Sequence, residues 1–157
     1  MAIVVDPFVG KIADDFTLVA DDGTLFTLSK LKGKKIVLYF YPKDDTSGCT
    51  KQACDFRDHK SEFDAKNICI IGISKDDTKR HQNFKSKHQL NFTLLSDVDG
   101  KVCESYGVWR EKSMYGRKYF GIDRSTFYID ENFFIRDVWR KVKVPGHYLD
   151  VLKNLDM

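Results

Sequence analysis

The stretch Ile36-Val37-Leu38-Tyr39-Phe40-Tyr41-Pro42-Lys43-Asp44-Asp45-Thr46-Ser47-Gly48-Cys49 holds, in order, a strand, a stop, a loop and the start of a helix. Its first residues form an unbroken β-branched, leucine and aromatic run, the pattern of a strand covered on both faces. Pro42 has no backbone N–H and ends it. The polar residues 43–48 make a loop, and Thr46 is a natural N-cap for a helix reaching to about Lys66, with Phe56 and Phe63 as its apolar contacts. A strand that feeds a helix through a short loop is the repeating unit of a parallel sheet, and functional sites in such sheets collect at that strand end.

Outward from this stretch the alternation continues. Downstream the sequence predicts a strand over 68–74, a helix over 77–88, a strand over 92–95 and a short helix near 102–106. That order implies a largely parallel sheet with helices on both faces. Upstream, Phe16-Thr17-Leu18 and Leu25-Phe26-Thr27-Leu28 flank Asp21-Asp22-Gly23, which predicts an N-terminal β-hairpin. A second hairpin is expected where 125–130 and 133–139 flank Glu131-Asn132, followed by a C-terminal helix from about Gly146. The expected class is therefore α/β with a mixed central sheet. With no internal repeat, low-complexity tract or Gly/Ser linker, residues 1–157 read as one domain.

Composition supports that reading. At 157 residues, 42% hydrophobic and 31% charged, the chain is globular in class. A chain of this length buries about 68–70% of its unfolded surface and needs neither metal nor disulfide to fold. The net charge is +3, and the first hundred residues carry 15 basic and 15 acidic side chains, so the excess follows Gly100, with a short run at Arg140, Lys141 and Lys143. This run reads as solvated basic surface, and a nucleic-acid partner is not expected. No stretch approaches the ~20 apolar residues of a membrane span. Met1 to Val5 is too short for a signal-peptide core and runs into Asp6-Pro7, so a cytoplasmic location is expected. In that reducing compartment cysteines are more often reactive or buried than structural.

The chain has four cysteines. Cys49 falls in the first turn of the predicted helix, where unpaired backbone N–H groups and the macrodipole favour a thiolate over a thiol. Gly48 leaves room beside it, and Pro42 fixes the turn that brings the loop over the strand end. Cys54 follows on the same predicted helix, as either a reacting partner or a buried helix-face residue. In an ideal helix, residues five apart have Cα atoms ~8.6 Å apart, beyond the ~7 Å a disulfide tolerates. If the two ever join, the start of the helix must unwind. Cys69 reads as a buried strand residue and Cys103 as either a packed thiol or a second reactive one. Zinc ligands usually come in close pairs, and neither the cysteines nor His59, His81, His88 and His147 supply them. A thioredoxin-type dithiol site needs Cys-X-X-Cys, which does not occur.

Pro42-Lys43-Asp44-Asp45-Thr46-Ser47-Gly48-Cys49 resembles the peroxiredoxin pattern of Pro, three residues, Thr or Ser, two residues, Cys. The continuation Thr50-Lys51-Gln52-Ala53-Cys54 is similar to the Q-type group, also called bacterioferritin comigratory proteins. Tyr39-Phe40-Tyr41-Pro42, Gly121-Ile122-Asp123-Arg124-Ser125-Thr126-Phe127 and Gly146-His147 extend the likeness over nearly the whole chain. Ser47 stands where many members have Pro.

The resemblance implies a thioredoxin-like fold and a peroxidase acting on hydrogen peroxide and organic hydroperoxides. It implies that Cys49 attacks the terminal peroxide oxygen, that Thr46 hydrogen-bonds thiolate and substrate, that Arg124 supplies fixed positive charge and that Pro42 shields the sulfur. It also implies that Cys54 resolves the Cys49 sulfenic acid as an intramolecular disulfide, recycled by a thioredoxin-type reductant. It points to a monomer with neither cofactor nor metal. A one-cysteine cycle with an external thiol is the runner-up, and a non-catalytic thioredoxin-like binding module the remaining alternative. Without the resemblance, Arg124 beside Asp123 reads as an ordinary surface ion pair.

Overall fold

The computed structural model describes residues 5–155. In chain order these residues form β1 (Thr17–Ala20), β2 (Leu25–Thr27), a 3₁₀ turn (Leu28–Leu31), β3 (Lys35–Phe40), α1 (Ser47–Asp58), α2 (Lys60–Ala65), β4 (Ile68–Ser74) and α3 (Thr78–His88). They continue with β5 (Thr93–Ser96), α4 (Lys101–Ser105), β6 (Trp109–Met114), β7 (Arg117–Ile122), β8 (Ser125–Ile129), β9 (Ile135–Trp139) and α5 (His147–Asn154).

Among the described residues the main sheet has seven strands in the order β2-β1-β5-β4-β3-β8-β9. β3, β4 and β5 run parallel, while β8, β9, β1 and β2 join antiparallel. The expected mixed sheet, N-terminal hairpin and second hairpin are thus observed. β3 lies centrally between β4 and β8, which is why its sequence is apolar on both faces. Its side chains alternate between two cores. Ile36, Leu38 and Phe40 pack with Ile71, Leu95, Tyr106 and Phe127 on the face covered by α4 and the 3₁₀ turn. Val37, Tyr39 and Tyr41 pack with Phe56, Phe63, Phe84 and Val151 on the face covered by α1, α2, α3 and α5. Gly72 on β4 admits the Tyr39 ring: a Cβ there would lie 2.9 Å from Tyr39 Cζ and 3.0 Å from a Leu94 methyl.

The structure departs from the sequence expectations in four places. The helix expected from Thr46 to Lys66 is two helices, broken at His59 with φ −113°. There the His59 ring, stacked 4.0 Å from Tyr148, takes the Asp55 carbonyl at 2.9 Å, and the His59 N–H turns to the Arg57 carbonyl. An imidazole competing for an i−4 carbonyl ends the helical ladder locally. Residues 109–122 form a hairpin of their own, β6 with β7, turning through Tyr115 and Gly116 at positive φ. Arg140 does not belong to a solvated basic patch. It donates to Asp6 at 2.8 Å and to the Tyr106 carbonyl at 3.2 Å, and its guanidinium covers the rings of Phe8 and Phe127. Cys69 is only partly buried, near the start of β4.

Candidate active site

Cys49 sits in the first turn of α1, one short loop beyond the C-terminal end of β3. Thr46 is extended (φ −87°, ψ 155°) and its carbonyl accepts the first helical bond from Thr50 N–H at 2.8 Å. It therefore caps through its backbone, as expected, but its hydroxyl does not cap. That hydroxyl donates to the Lys43 carbonyl at 3.0 Å and closes the loop on itself. Pro42 and Thr46 are exposed, whereas Cys49 is only 1% exposed.

Arg124 comes from the two-residue connection between β7 and β8. Its Nη2 donates to Cys49 Sγ at 3.3 Å and its Nη1 to Gln52 Oε1 at 2.6 Å. Its carbonyl accepts from Val142 N–H at 3.0 Å, which fixes the backbone from the far side. The fork of a guanidinium suits this two-point hold, and a hydrogen bond from a cation to sulfur strengthens as negative charge gathers there. Asp123 does not neutralise Arg124, since its carboxylate lies 3.8 Å from Arg110. Gly48 acquires a further role here: a Cβ at that position would lie 3.2 Å from Arg124 Nη2, so the missing side chain makes room for the cation.

Three parts of the site escaped the sequence reading. Gln52 is buried and holds the guanidinium, while its Nε2 is unpaired. Its spacing of three residues from Cys49 places both on one helix face, and this is the signal that could have found it. Tyr39, packed on Tyr41 and Phe56, carries a buried, unpaired hydroxyl. Burial raises that phenol well above its usual range, and the proximity of Cys49 pushes the same way. Lys112 on β6 is the third. Burial holds its ammonium below the usual lysine range, Asp123 opposing, Arg124 reinforcing and Cys49 opposing. No local pattern announces Lys112, because β6 reaches the site only through its hairpin with β7. With Pro42, Lys43, Lys75, Trp109 and Phe120 it lines a groove of about 450 Å³, and Lys75 Nζ lies 4.2 Å from the centre of the Trp109 ring.

The remaining thiols differ in burial and surroundings. Cys54 is partly exposed on α1. Cys69 has its thiol raised by burial, with Lys34 and Lys60 opposing. Cys103 is fully buried, and burial together with Asp97 pushes its thiol far up. His147, at the start of α5, meets Thr126 Oγ1 at 2.8 Å through Nε2, and burial lowers it to about 4. Among the described residues, Asp44, Asp76 and His81 are close enough to share a metal ion, all within 4.8 Å, but their facing atoms are already hydrogen-bonded to one another and to neighbours.

A profile of the AhpC/TSA family matches residues 9–138. The putative peroxiredoxin bcp of Coxiella burnetii is 55% identical over 147 residues, covering 94% of this chain and 97% of that protein. The peroxiredoxin Bcp of Bacillus subtilis is 48% identical over 147 residues, covering 94% of each. Among solved structures, the Xanthomonas campestris bacterioferritin comigratory protein, described for its alkyl peroxide reduction activity, superposes with a TM-score of 0.86 at 42% identity over 90% of each chain.

Proposed function

The chain belongs to the AhpC/TSA family as a thioredoxin-fold thiol peroxidase of the Bcp type, and on that premise we propose that Cys49 is the attacking sulfur and Cys54 the sulfur that resolves it. The observation that carries this reading is the 3.3 Å hydrogen bond from Arg124 Nη2 to Cys49 Sγ in the first turn of α1. The Cys49 thiolate attacks the terminal oxygen of the hydroperoxide. A sulfur–oxygen bond forms, the O–O bond breaks, and the departing alkoxide or hydroxide takes a proton to leave as alcohol or water. Helix N–H groups and a guanidinium held by Gln52 act without reorganising as charge spreads from sulfur to oxygen. The Thr46 hydroxyl, whose proton is given to Lys43, keeps lone pairs to accept the peroxide O–H. Pro42 limits water at the mouth.

The product is a sulfenic acid on Cys49. The Cys54 thiol condenses with it, forming the disulfide and releasing water, and an external thioredoxin-type dithiol reduces that bond by exchange. Both cysteines lie within α1, so this step unwinds its first turns and separates Gln52 from Arg124. The groove lined by Trp109, Phe120 and Lys112 offers apolar surface for the organic part of a hydroperoxide, in keeping with the alkyl peroxide reduction described for the Xanthomonas protein. No helix among the described residues is long and apolar enough to cross a membrane. We read the chain as one domain, a monomer, working in the cytoplasm where dithiol reductant is supplied.

Intact-mass analysis and peptide mapping after one equivalent of peroxide test this cycle. An intramolecular Cys49–Cys54 bond is the expected product, and Cys49→Ser abolishes peroxide turnover. A stable Cys49 sulfenic acid with Cys54 still reduced indicates instead a one-cysteine cycle using an external thiol, the second reading, which the continuous helix between the two cysteines favours. Turnover surviving in Cys49→Ser overturns the assignment of the attacking sulfur.

A further inference from the structure

Behind the loop that carries Pro42 and Thr46 lies a buried polar cluster that the chemistry above does not use. His81 on α3 is 0% exposed, and Tyr41, Asp44 and Asp76 are buried around it. His81 Nε2 lies 2.9 Å from the Leu95 carbonyl. A carbonyl only accepts, so Nε2 carries a proton. His81 Nδ1 lies 2.6 Å from Asp44 Oδ2, where two bare lone pairs would repel, so a second proton sits between them. The pair is therefore an imidazolium facing a carboxylate, or an imidazole facing a carboxylic acid.

Every polar atom of Asp44 on this side is engaged. Its Oδ1 accepts the Tyr41 hydroxyl at 2.5 Å, and its backbone N–H donates to Asp76 Oδ2 at 2.7 Å. That Asp76 oxygen also accepts the Ser74 hydroxyl at 2.7 Å. Next in the chain, Asp45 adopts the left-handed region at φ 61°, and its carboxylate meets Lys87 at 2.8 Å and His88 at 3.1 Å, both on α3. α3 thus grips consecutive loop residues from the interior and from the surface.

The geometry points to His81 as a positioning residue for peroxide reduction: through Asp44 it holds residues 42–46 against α3 and β5, so that Pro42 and Thr46 keep their places at the entrance to Cys49. The inference rests on Cys49 being the attacking sulfur. It separates two properties of that sulfur. Its place in the first turn of α1 and its hydrogen bond from Arg124 are not touched by the cluster, whereas orientation of the peroxide depends on the loop. A displacement of about 1 Å at such a loop costs a rate factor on the order of 100.

The test measures two second-order rate constants at Cys49, one for oxidation by hydrogen peroxide and one for alkylation by iodoacetamide, in variants whose near-ultraviolet circular dichroism matches wild type. His81→Phe keeps the ring volume and loses both hydrogen bonds, stranding a buried carboxylate. His81→Gln carries one amide that serves a single acceptor and is the gentler variant. Both are expected to lose at least about tenfold in peroxide rate while alkylation changes by less than about twofold. In Asp44→Asn the amide donates to a neutral His81 Nδ1 and its oxygen still accepts from Tyr41, so the same bonds form without an ion pair. That variant stays within about threefold of wild type.

Peroxide and alkylation rates that fall together overturn the inference, because a merely loosened fold does that. Unchanged peroxide rates in both His81 variants overturn it too, as does an Asp44→Asn loss equal to that of His81→Phe. Peroxide turnover persisting in Cys49→Ser is a separate failure, of the site assignment itself.

Discussion

Gly48→Ala is expected to separate stability from activity. Gly48 follows Ser47 in the first turn of α1, and its φ lies outside the left-handed region, so alanine fits the backbone. Exchanging glycine for alanine in a helix gains up to about 0.5–1 kcal/mol. The added methyl, however, would sit 3.2 Å from Arg124 Nη2. That guanidinium is held through its other terminal nitrogen by Gln52 at 2.6 Å, and a shift of a few tenths of an ångström at Nη2 is expected to lengthen its 3.3 Å bond to Cys49 Sγ. A hydrogen bond involving a charged group contributes about 1.5–3 kcal/mol, and losing roughly half of one slows reaction about fourfold to twelvefold. The assay is stopped-flow oxidation of the reduced variant by hydrogen peroxide, paired with thermal unfolding. The expected result is a peroxide rate lower by about that factor, with a melting temperature unchanged or raised by up to about 4 °C. A wild-type rate would refute the claim that Gly48 is there to admit Arg124. A rate loss accompanied by an equal loss of stability would refute the separation.

Other outcomes follow from the same contacts. Thr46→Val, which keeps the backbone cap and removes the hydroxyl, should cut the peroxide rate at least about tenfold while leaving circular dichroism unchanged. His147 is held neutral, lowered by burial from 6.5 to about 4, so the unfolded chain binds the extra proton between those values. Stability should fall as pH drops from about 6.5 towards 4, by about 3 kcal/mol in all, and denaturant titrations of His147→Gln should show a flatter profile over that window. Cys103→Ala should turn over peroxide as wild type does and give the same disulfide map, at a stability cost of about 1 kcal/mol for the lost sulfur contacts. In Cys54→Ser the Cys49 sulfenic acid should persist and advance to sulfinic acid under excess peroxide, read as mass increments on that peptide.

Much of the segment from β3 into α1 could be read locally. The apolar run before Pro42, the cap at Thr46 and the cysteine in the first helical turn each depend on hydrogen bonds and side-chain periods within a few residues. So did the βαβ order and both hairpins with polar turns. The break at His59 could not be read this way, because it depends on an imidazole drawn to Tyr148, far along the chain. The β6 and β7 hairpin was missed because the segment around Arg110, Lys112 and Lys118 is mostly exposed and shows no clean alternation.

By itself the sequence determined where Cys49 stands: at a helix start, past the end of a central strand. Tertiary structure decided what surrounds it. Arg124 reaches Cys49 across 75 positions of chain and Gln52 across 72, and His81 reaches Asp44 across 37. Local propensity carries no record of such pairings. They exist because β8 joins β3 antiparallel and α3 returns the chain to β5 beside it, bringing distant polar atoms within hydrogen-bond range in a core where leaving one unpaired is costly. The same closure converts Arg140, Lys141 and Lys143 from a run of charge in sequence into one anchored arginine and two exposed lysines.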